Sequence, residues 1–247
     1  MTQERATGVF LTGTDTGVGK TTVTAALTIA LQQRGLNVGA MKPIETGRGG
    51  QPAGDSDSER LRQTASPTSL PDIIRLYEFD PPLAPLAAAR LGKKTINCSR
   101  IVDAYKTTSR QHDVTLVEGI GGVLTPLTPT QNIRDLMRAF HLPCLVVGRP
   151  TIGGINHAQL TIEALHAHHI EILAIVFNQS LLSHQPSLED LQKRTTIDLM
   201  NELTDIPVLG PLSFNNNLMT NWMEGIRMIA SEPGIQELAH LITSKIS

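Results

Sequence analysis

Aromatic side chains are scarce in this sequence of 247 residues, in which Phe, Trp and Tyr together make up 3%. Hydrophobic residues of all kinds nevertheless make up 40%, so the core has to be built mainly from aliphatic side chains. Such a core suits a parallel sheet that is covered by helices on both faces. The length falls within the range of one large α/β domain, and we expect residues 1–247 to form a single domain.

Cysteine is also scarce, and the two cysteines, Cys98 and Cys144, lie too far apart in the sequence for a CxxC or zinc-binding pattern. Cys144 lies inside the apolar segment CLVV, and we expect it to be a small residue of the core. The sequence has no signal-type apolar segment at its start and no apolar run of membrane-spanning length. These features predict a soluble protein of the cytoplasm with no membrane partner.

No block of basic residues occurs along the chain, and the formal net charge is -2 at pH 7. A protein that binds nucleic acid through the phosphates needs a positively charged surface. The charge distribution therefore argues against a nucleic-acid partner, and the function has to be sought in local motifs.

Short apolar segments alternate with amphipathic or Ala/Leu-rich segments along the chain. The predicted strands are Gly8–Thr12, Asn37–Met41, Val114–Glu118, Cys144–Val147, Ile172–Phe177 and Val208–Leu209. The predicted helices include Thr21–Gln33, Ser99–Arg110, Asn156–His166 and Leu188–Leu203. This alternation is typical of an α/β fold with a mostly parallel, doubly wound sheet flanked by helices. In such sheets ligands bind beyond the carboxyl ends of the strands, where this sequence has Gly13–Thr21, Lys42–Thr46, Gly119–Pro126 and Asn178.

The segment Gly13–Thr21 reads GTDTGVGKT and lies between an apolar strand and an Ala-rich helix. This is the setting of a phosphate-binding loop, whose backbone N–H groups and following helix N-terminus hold phosphate oxygens. Lys20 would reach the β- and γ-phosphates, and the Thr21 hydroxyl would bind Mg²⁺. The usual pattern has a glycine where Thr14 stands, so the loop is a variant with an intact GKT core. The predicted ATP-binding residues of this loop are Thr14, Asp15, Thr16, Gly17, Val18, Gly19, Lys20, Thr21 and Thr22.

Four segments together resemble the dethiobiotin synthetase family in order and spacing. They are GTDTGVGKT, MKPIETG at Met41–Gly47, VEGIGGVLTPL at Val117–Leu127 and GGINHAQLT at Gly153–Thr161. The resemblance implies a P-loop enzyme that converts 7,8-diaminononanoate, CO₂ and ATP into dethiobiotin, ADP and phosphate in biotin synthesis. It also implies that the reaction passes through a carbamate and a carbamic–phosphoric mixed anhydride.

The resemblance implies catalytic roles for Lys42 and Lys20. The carbamate is an anion that attacks an anionic phosphate, so fixed cations have to neutralise the charge before the two can meet. Thr46 is the residue that would hydrogen-bond the carbamate. Ring closure needs no further nucleophile, because the attacking amine is tethered within the substrate.

The resemblance implies that Thr21, Asp57 and Glu118 are the ligands of Mg²⁺, and their oxygen donors suit this hard ion. Glu118 ends an apolar strand, where a carboxylate has little other reason to occur. The segment DSD could instead cap the following helix, and Asp55 could replace Asp57 as the ligand. The expected loop Arg48–Ser58 would close over the γ-phosphate.

The resemblance also assigns the remaining contacts. Further ATP-binding residues would be Gly119, Ile120, Gly121, Asn178, Gln179 and Ser213. Further substrate-binding residues would be Gly122, Val123, Gly154, Ile155 and Asn156. Backbone N–H groups at the start of the helix after Gly154 could hold the far carboxylate of the substrate. In the family this carboxylate site comes from the partner subunit, which implies a homodimer with active sites at the interface.

Other interpretations stay open. A switch ATPase of the ParA/MinD kind would share the fold, but that group usually has a lysine early in the loop, where this chain has Asp15. A related amidoligase would need a glutaminase domain for which this chain leaves no room. A non-catalytic relative would retain the nucleotide site alone. The cluster His166–His169 suggests a metal site, but its place at a predicted helix end favours a structural role, as for His157.

Overall fold

The computed structural model describes residues 8–49, 54–65, 75–180 and 186–246. The strands are β1 (Gly8–Gly13), β2 (Val38–Met41), β3 (Ile44–Thr46), β4 (Tyr77–Phe79), β5 (Val114–Gly122), β6 (Cys144–Gly148), β7 (Ile172–Asn178) and β8 (Val208–Leu212). The helices are α1 (Lys20–Gln32), α2 (Asp57–Thr64), α3 (Pro85–Leu91), α4 (Cys98–Ser109), α5 (Ile133–Phe140), α6 (Gly154–His166), α7 (Pro186–Leu203), α8 (Asn217–Thr220), α9 (Trp222–Ala230) and α10 (Pro233–Ile246).

The central sheet has six strands in the order β2-β5-β1-β6-β7-β8, and every pairing in it is parallel. The doubly wound parallel sheet predicted from the sequence is therefore confirmed. The chain passes to one side of β1 to form β2 and later to the other side to form β6. This reversal opens a crevice beyond the carboxyl end of β1, the place where ligands bind in such folds.

Apolar residues cover both faces of the sheet. Val9 and Leu11 of β1 belong to the core that includes α1, α9 and α10, whereas Phe10 belongs to the core with α4, α5 and α6. Successive strand residues point to opposite faces, so one short apolar strand serves both cores. Cys144 is buried in β6, as predicted, and its thiol is free. No helix within the described ranges combines the length and the apolar character that crossing a bilayer requires.

A second sheet of two parallel strands, β3 and β4, is absent from the sequence prediction. Each strand has three residues, which is too short to give a periodic pattern. Two predicted strands also extend several residues beyond their expected ends, and three others extend by one residue. The strand that starts at Val114 continues through Gly122 instead of ending at Glu118, and the last strand continues to Leu212. Glycine is rare in strands, so the segment GIGG resembled a turn in the sequence.

Candidate active site

A cavity of about 330 Å³ opens beyond the carboxyl ends of β1, β2 and β5. Its wall brings together predicted site residues from four separate segments. They are Thr16, Gly17, Gly19, Lys20, Thr21, Thr22, Lys42, Thr46, Asp57, Glu118, Ile120 and Gly121. The parallel sheet explains this convergence, since the ends of neighbouring strands lie at one edge.

Two glycines give the phosphate-binding loop its shape. Gly17 and Gly19 have left-handed backbones, with φ of 71° and 94°. A Cβ atom at Gly19 would overlap the amide nitrogen of Asn178, and one at Gly17 would lie 3.1 Å from Nη2 of Arg149. Glycine is therefore required at Gly19 for space as well as for conformation.

Side chains from the neighbouring strands hold the same loop in place. Asn178, at the end of β7, donates from Nδ2 to the carbonyl of Val18 over 3.0 Å. Arg149, which follows β6, donates from Nη2 to the carbonyl of Thr16 over 2.7 Å. The role of Arg149 was not predicted, because nothing local in the sequence links it to the loop.

Lys20 folds back over its own loop. Its Nζ donates to the carbonyl of Asp15 over 2.9 Å and to that of Gly121 over 3.0 Å. Burial, together with the nearby charge of Lys42, lowers the pKa of Lys20 to about 8. An anion placed beside Lys20 would favour its charged form, so the side chain is suited to bind phosphate.

Lys42 lies between two carboxylates. Its Nζ is 2.6 Å from Oε1 of Glu118 and 3.0 Å from Oδ2 of Asp57. The hydroxyl of Thr21 donates to the same Glu118 oxygen over 2.8 Å. Lys42 and Glu118 are 3% and 1% exposed, so this group of residues lies in a low-dielectric setting.

The charges of this group follow from its burial. Burial opposes the charge on Lys42, but Asp57 and Glu118 outweigh it and hold the pKa of Lys42 above its ordinary value. Burial raises the pKa of Glu118, although Lys42 acts in the opposite direction. For Asp57, the attraction of Lys42 outweighs burial, and the pKa is lowered. Lys42 therefore stays a cation and Asp57 stays an anion at neutral pH.

Thr21, Asp57 and Glu118 present oxygen atoms that fit a magnesium ion. Oε2 of Glu118 is buried without a hydrogen-bond partner among the described residues, as expected for an atom kept for a ligand. The side chain of Asp57 is 43% exposed and faces the same cavity. Two carboxylates with one hydroxyl are a typical protein contribution to a site that is completed by phosphates and water.

Asp57 and Asp55, the two alternatives predicted as the metal ligand, lie in different environments. The Asp55 side chain is 56% exposed, pairs with Arg60 at 3.7 Å and does not line the cavity. The cap of α2 is Ser56, whose Oγ accepts from the backbone N–H of Glu59 over 3.2 Å. The carboxylate of Asp57 is thus not used as a helix cap.

Glu45 is a site residue that sequence reasoning missed. It is 4% exposed, and its carboxylate accepts from the backbone N–H of Asp57 over 2.8 Å and from the hydroxyl of Ser58 over 2.5 Å. Glu45 therefore fixes the first turn of α2 and with it the position of Asp57. In the sequence, Glu45 is one polar residue of the segment KPIETG, and no motif there indicates a role in the site.

Replacing Glu45 by Gln is expected to weaken metal binding at Asp57, because the amide cannot accept both hydrogen bonds. Loss of such a supporting partner typically costs about 10- to 100-fold in metal affinity. Calorimetric titration of Mg²⁺ into the protein with ADP measures this. Glu78→Gln is the control, since Glu78 pairs with Arg48 and Arg75 near the same helix without contacting Asp57. An unchanged Mg²⁺ affinity in Glu45→Gln would contradict the assignment.

Several predicted site residues lie outside this cavity. Gln179 donates to the carboxylate of Glu189, and the backbone N–H of Ser213 donates to Glu232 over 3.1 Å. Asn178 is engaged by the loop as described above, whereas Ser180 and Phe214 line the cavity. The predicted ATP-binding roles of Asn178, Gln179 and Ser213 stay predictions.

Lys42 and Thr46, two of the predicted substrate contacts, line the cavity described above. Two others, Gly122 and Val123, line a neighbouring pocket of about 390 Å³. Its wall also includes Thr14, Asp15 and His157. The helix α6 begins beside it with Gly154, Ile155 and Asn156, which do not line either cavity. Residues 50–53 of the expected loop Arg48–Ser58 lie outside the described residues.

Comparison with protein families gives a match to an AAA domain over residues 7–221. The ATP-dependent dethiobiotin synthetase of Thermodesulfovibrio yellowstonii is 38% identical over 220 residues, which cover 85% of this chain and 90% of the relative. That of Anaeromyxobacter dehalogenans is 42% identical over 181 residues, which cover 73% of this chain and 80% of the relative. Both alignments span most of each protein.

Solved structures show a wider likeness of fold. The MinC:MinD cell division protein complex of Aquifex aeolicus contains a chain that aligns with a TM-score of 0.59 at 13% identity, covering 97% of this chain and 96% of that one. At this identity the likeness concerns the arrangement of strands and helices alone.

Proposed function

This chain belongs to the ATP-dependent dethiobiotin synthetase family, and on that premise we propose that its cavity joins 7,8-diaminononanoate and CO₂ at the expense of ATP. The products are dethiobiotin, ADP and phosphate, and the protein is an ATP-dependent ligase. The observation that carries the proposal is the position of Lys42. This buried cation lies beside the phosphate-binding loop and between two carboxylates, 2.6 Å and 3.0 Å away.

The reaction begins when one amine of the substrate attacks CO₂ and loses a proton, which gives a carbamate. A carbamate oxygen then attacks the γ-phosphorus, and ADP leaves. Lys42 and Lys20 face the same cavity, and their charges offset the repulsion between the two anions. Thr46, also in the cavity wall, presents a hydroxyl to the carbamate.

The second amine then attacks the carbonyl carbon of the mixed anhydride, and phosphate leaves as the ring closes. Both reacting groups belong to one molecule, so the protein has to orient them and needs no nucleophile of its own. Thr21, Asp57 and Glu118 would hold Mg²⁺, which would supply positive charge to the phosphates. This leaves Lys20 and Lys42 to orient the transferred phosphoryl group.

The position of the α6 N-terminus supports a homodimer. The N-terminus of α6, with Gly154, Ile155 and Asn156, does not line the ATP cavity of its own chain. Within the family resemblance, the same segment of a second copy would supply the backbone N–H groups for the carboxylate. The homodimer and the cytoplasmic location belong to the proposal.

A switch ATPase remains the alternative function, since MinD proteins share this fold. Asp15 stands where such proteins usually carry a lysine that acts across a dimer. In this chain the carboxylate of Asp15 accepts from the backbone N–H of Thr16 over 2.7 Å. No observation in the described residues favours this alternative over the ligase.

Phosphate release from ATP and Mg²⁺ in bicarbonate buffer, measured with and without 7,8-diaminononanoate, tests the proposal. We expect release that depends on the diamine, with one dethiobiotin formed for each phosphate. Mass spectrometry of the product provides the control for uncoupled hydrolysis. Release that is indifferent to the diamine would favour a switch ATPase, and no release at all would indicate a non-catalytic relative.

A further inference from the structure

Arg60 is a cation of the cavity wall that the reaction described above does not use. It lies on α2 three residues after Asp57, and residues with this spacing share one face of a helix. The Arg60 guanidinium carbon lies 4.7 Å from the centroid of the Trp222 ring. Arg60, Trp222 and Asp57 all line the cavity that contains the phosphate-binding loop.

The charges in the cavity leave Arg60 available for an anion. Lys42 is already paired with Asp57 and Glu118, whereas the ion pair of Arg60 with Asp55 is long, at 3.7 Å. The Asp55 side chain is 56% exposed, so water screens this pair. A bound triphosphate adds several negative charges to those of Asp57 and Glu118. Together they exceed the positive charge of Lys20, Lys42 and one divalent metal ion.

The contact with the face of Trp222 restricts the orientations open to the guanidinium. The face of an arginine packs on an aromatic ring, whereas the N–H groups at its edge remain directed outward for planar or phosphate oxygens. A stacked arginine loses less side-chain freedom on binding than an exposed one. Trp222 is partly buried and packs against the core that includes α1, α9 and α10. This packing restricts the movement of the ring that Arg60 contacts.

We propose that Arg60, supported by Trp222, binds the polyphosphate of ATP and ADP in this cavity. The inference rests on the proposed use of ATP and adds a binding residue to that site. The phosphate-binding loop would hold one part of the polyphosphate, and Arg60 would approach it from the part of the cavity wall formed by α2 and α9.

Calorimetric titration of ADP into the full-length protein tests this contact. Arg60→Ala should raise the Kd by about tenfold or more, the scale of one lost hydrogen bond to a charged group. Arg62→Ala is the matched control: Arg62 lies on the same helix, is 52% exposed, pairs with Glu59 and is outside the cavity wall. We expect Arg62→Ala to bind ADP as the wild type does. Equal affinities of Arg60→Ala and Arg62→Ala would overturn the proposal.

The salt dependence of ADP binding separates a phosphate contact from a packing effect. Loss of a phosphate contact should flatten the dependence of log Kd on log salt in Arg60→Ala and leave it unchanged in Arg62→Ala. An unchanged slope would assign Arg60 a structural role and overturn the inference. Arg60→Lys keeps the charge and should have an intermediate Kd, which provides a second variant if Arg60→Ala does not fold.

The fluorescence of Trp222 gives an independent readout, because the sequence contains one tryptophan. Saturating ADP should change the emission of the wild type and of Arg62→Ala, and change that of Arg60→Ala less. An emission that does not respond to ADP in the wild type would contradict contact near the ring. The two proposals can fail separately. If ADP binding behaves as expected but phosphate release does not depend on the diamine, the proposed reaction is refuted and the role of Arg60 is retained.

Discussion

Replacement of Lys42 by Ala is expected to lower diamine-dependent phosphate release by at least about 10²- to 10³-fold, the cost of one preorganised group that stabilises transition-state charge. The carbamate and the γ-phosphate are both anionic, and Lys42 is the buried cation that the cavity offers beside Lys20. The pKa of Lys42 is held above its ordinary value by its carboxylate neighbours, so the charge is present throughout the neutral range. Single-turnover measurement of phosphate release reports this loss directly.

The affinity for ADP provides the control for the Lys42 variant. Lys20 and the phosphate-binding loop remain, so binding should change far less than turnover. Removing Lys42 also leaves Asp57 and Glu118 close together without their cation, which destabilises the fold. Lys42→Gln keeps a hydrogen-bond donor without the charge and should be as inactive as Lys42→Ala. A variant that retains a tenth of the wild-type turnover would exclude the catalytic role.

Replacement of Gly19 by Ala is expected to weaken ADP binding by about 100-fold or more. The left-handed conformation at Gly19 costs an alanine about 1–2 kcal/mol. Its Cβ would in addition overlap the amide of Asn178, which holds the carbonyl of Val18. The loop has to shift to relieve this overlap, and its N–H groups then no longer converge on phosphate.

Gly35→Ala is a matched control for the Gly19 variant. Gly35 also has a left-handed backbone, with φ of 85°, but no atom lies within 4 Å of a Cβ placed there. Both variants should therefore lose stability in thermal unfolding, and only Gly19→Ala should lose affinity for ADP. Asn178→Ala in the Gly19→Ala background should recover part of the affinity by removing the overlap. Normal ADP binding by Gly19→Ala would contradict the steric argument.

The sequence predicts the sheet and the centre of the site because both depend on local patterns. Alternating apolar and amphipathic segments predict a parallel sheet without giving the order of its strands. They place Lys20, Lys42 and Glu118 just after or at the ends of strands. Parallel strands align these ends at one edge, so the meeting of three distant residues follows from the fold class. Asp57 depended on the resemblance, since a carboxylate in a polar segment has several ordinary roles.

The contacts that support the site could not be predicted in the same way. These contacts join residues that are distant in sequence and meet only through tertiary packing. Glu45 contacts the first turn of α2, Arg60 contacts the ring of Trp222, and Arg149 contacts the carbonyl of Thr16. A glutamate or arginine in the sequence has no signature that reveals such a partner. The strands β3 and β4 were not predicted for a related reason. Each forms by pairing with the other, which is distant in the sequence.

The small sheet of β3 and β4 has a consequence for the evolutionary history of this protein. Its register, Ile44 with Tyr77 through Thr46 with Phe79, fixes the chain immediately after Lys42. The segments on either side of α2 can then gain or lose residues at a low entropic cost, since lengthening a connection costs little once its ends are held. Natural variants are accordingly expected to differ in the lengths of the two segments that flank α2. The number of residues between Lys42 and Thr46 is expected to be the same in all of them.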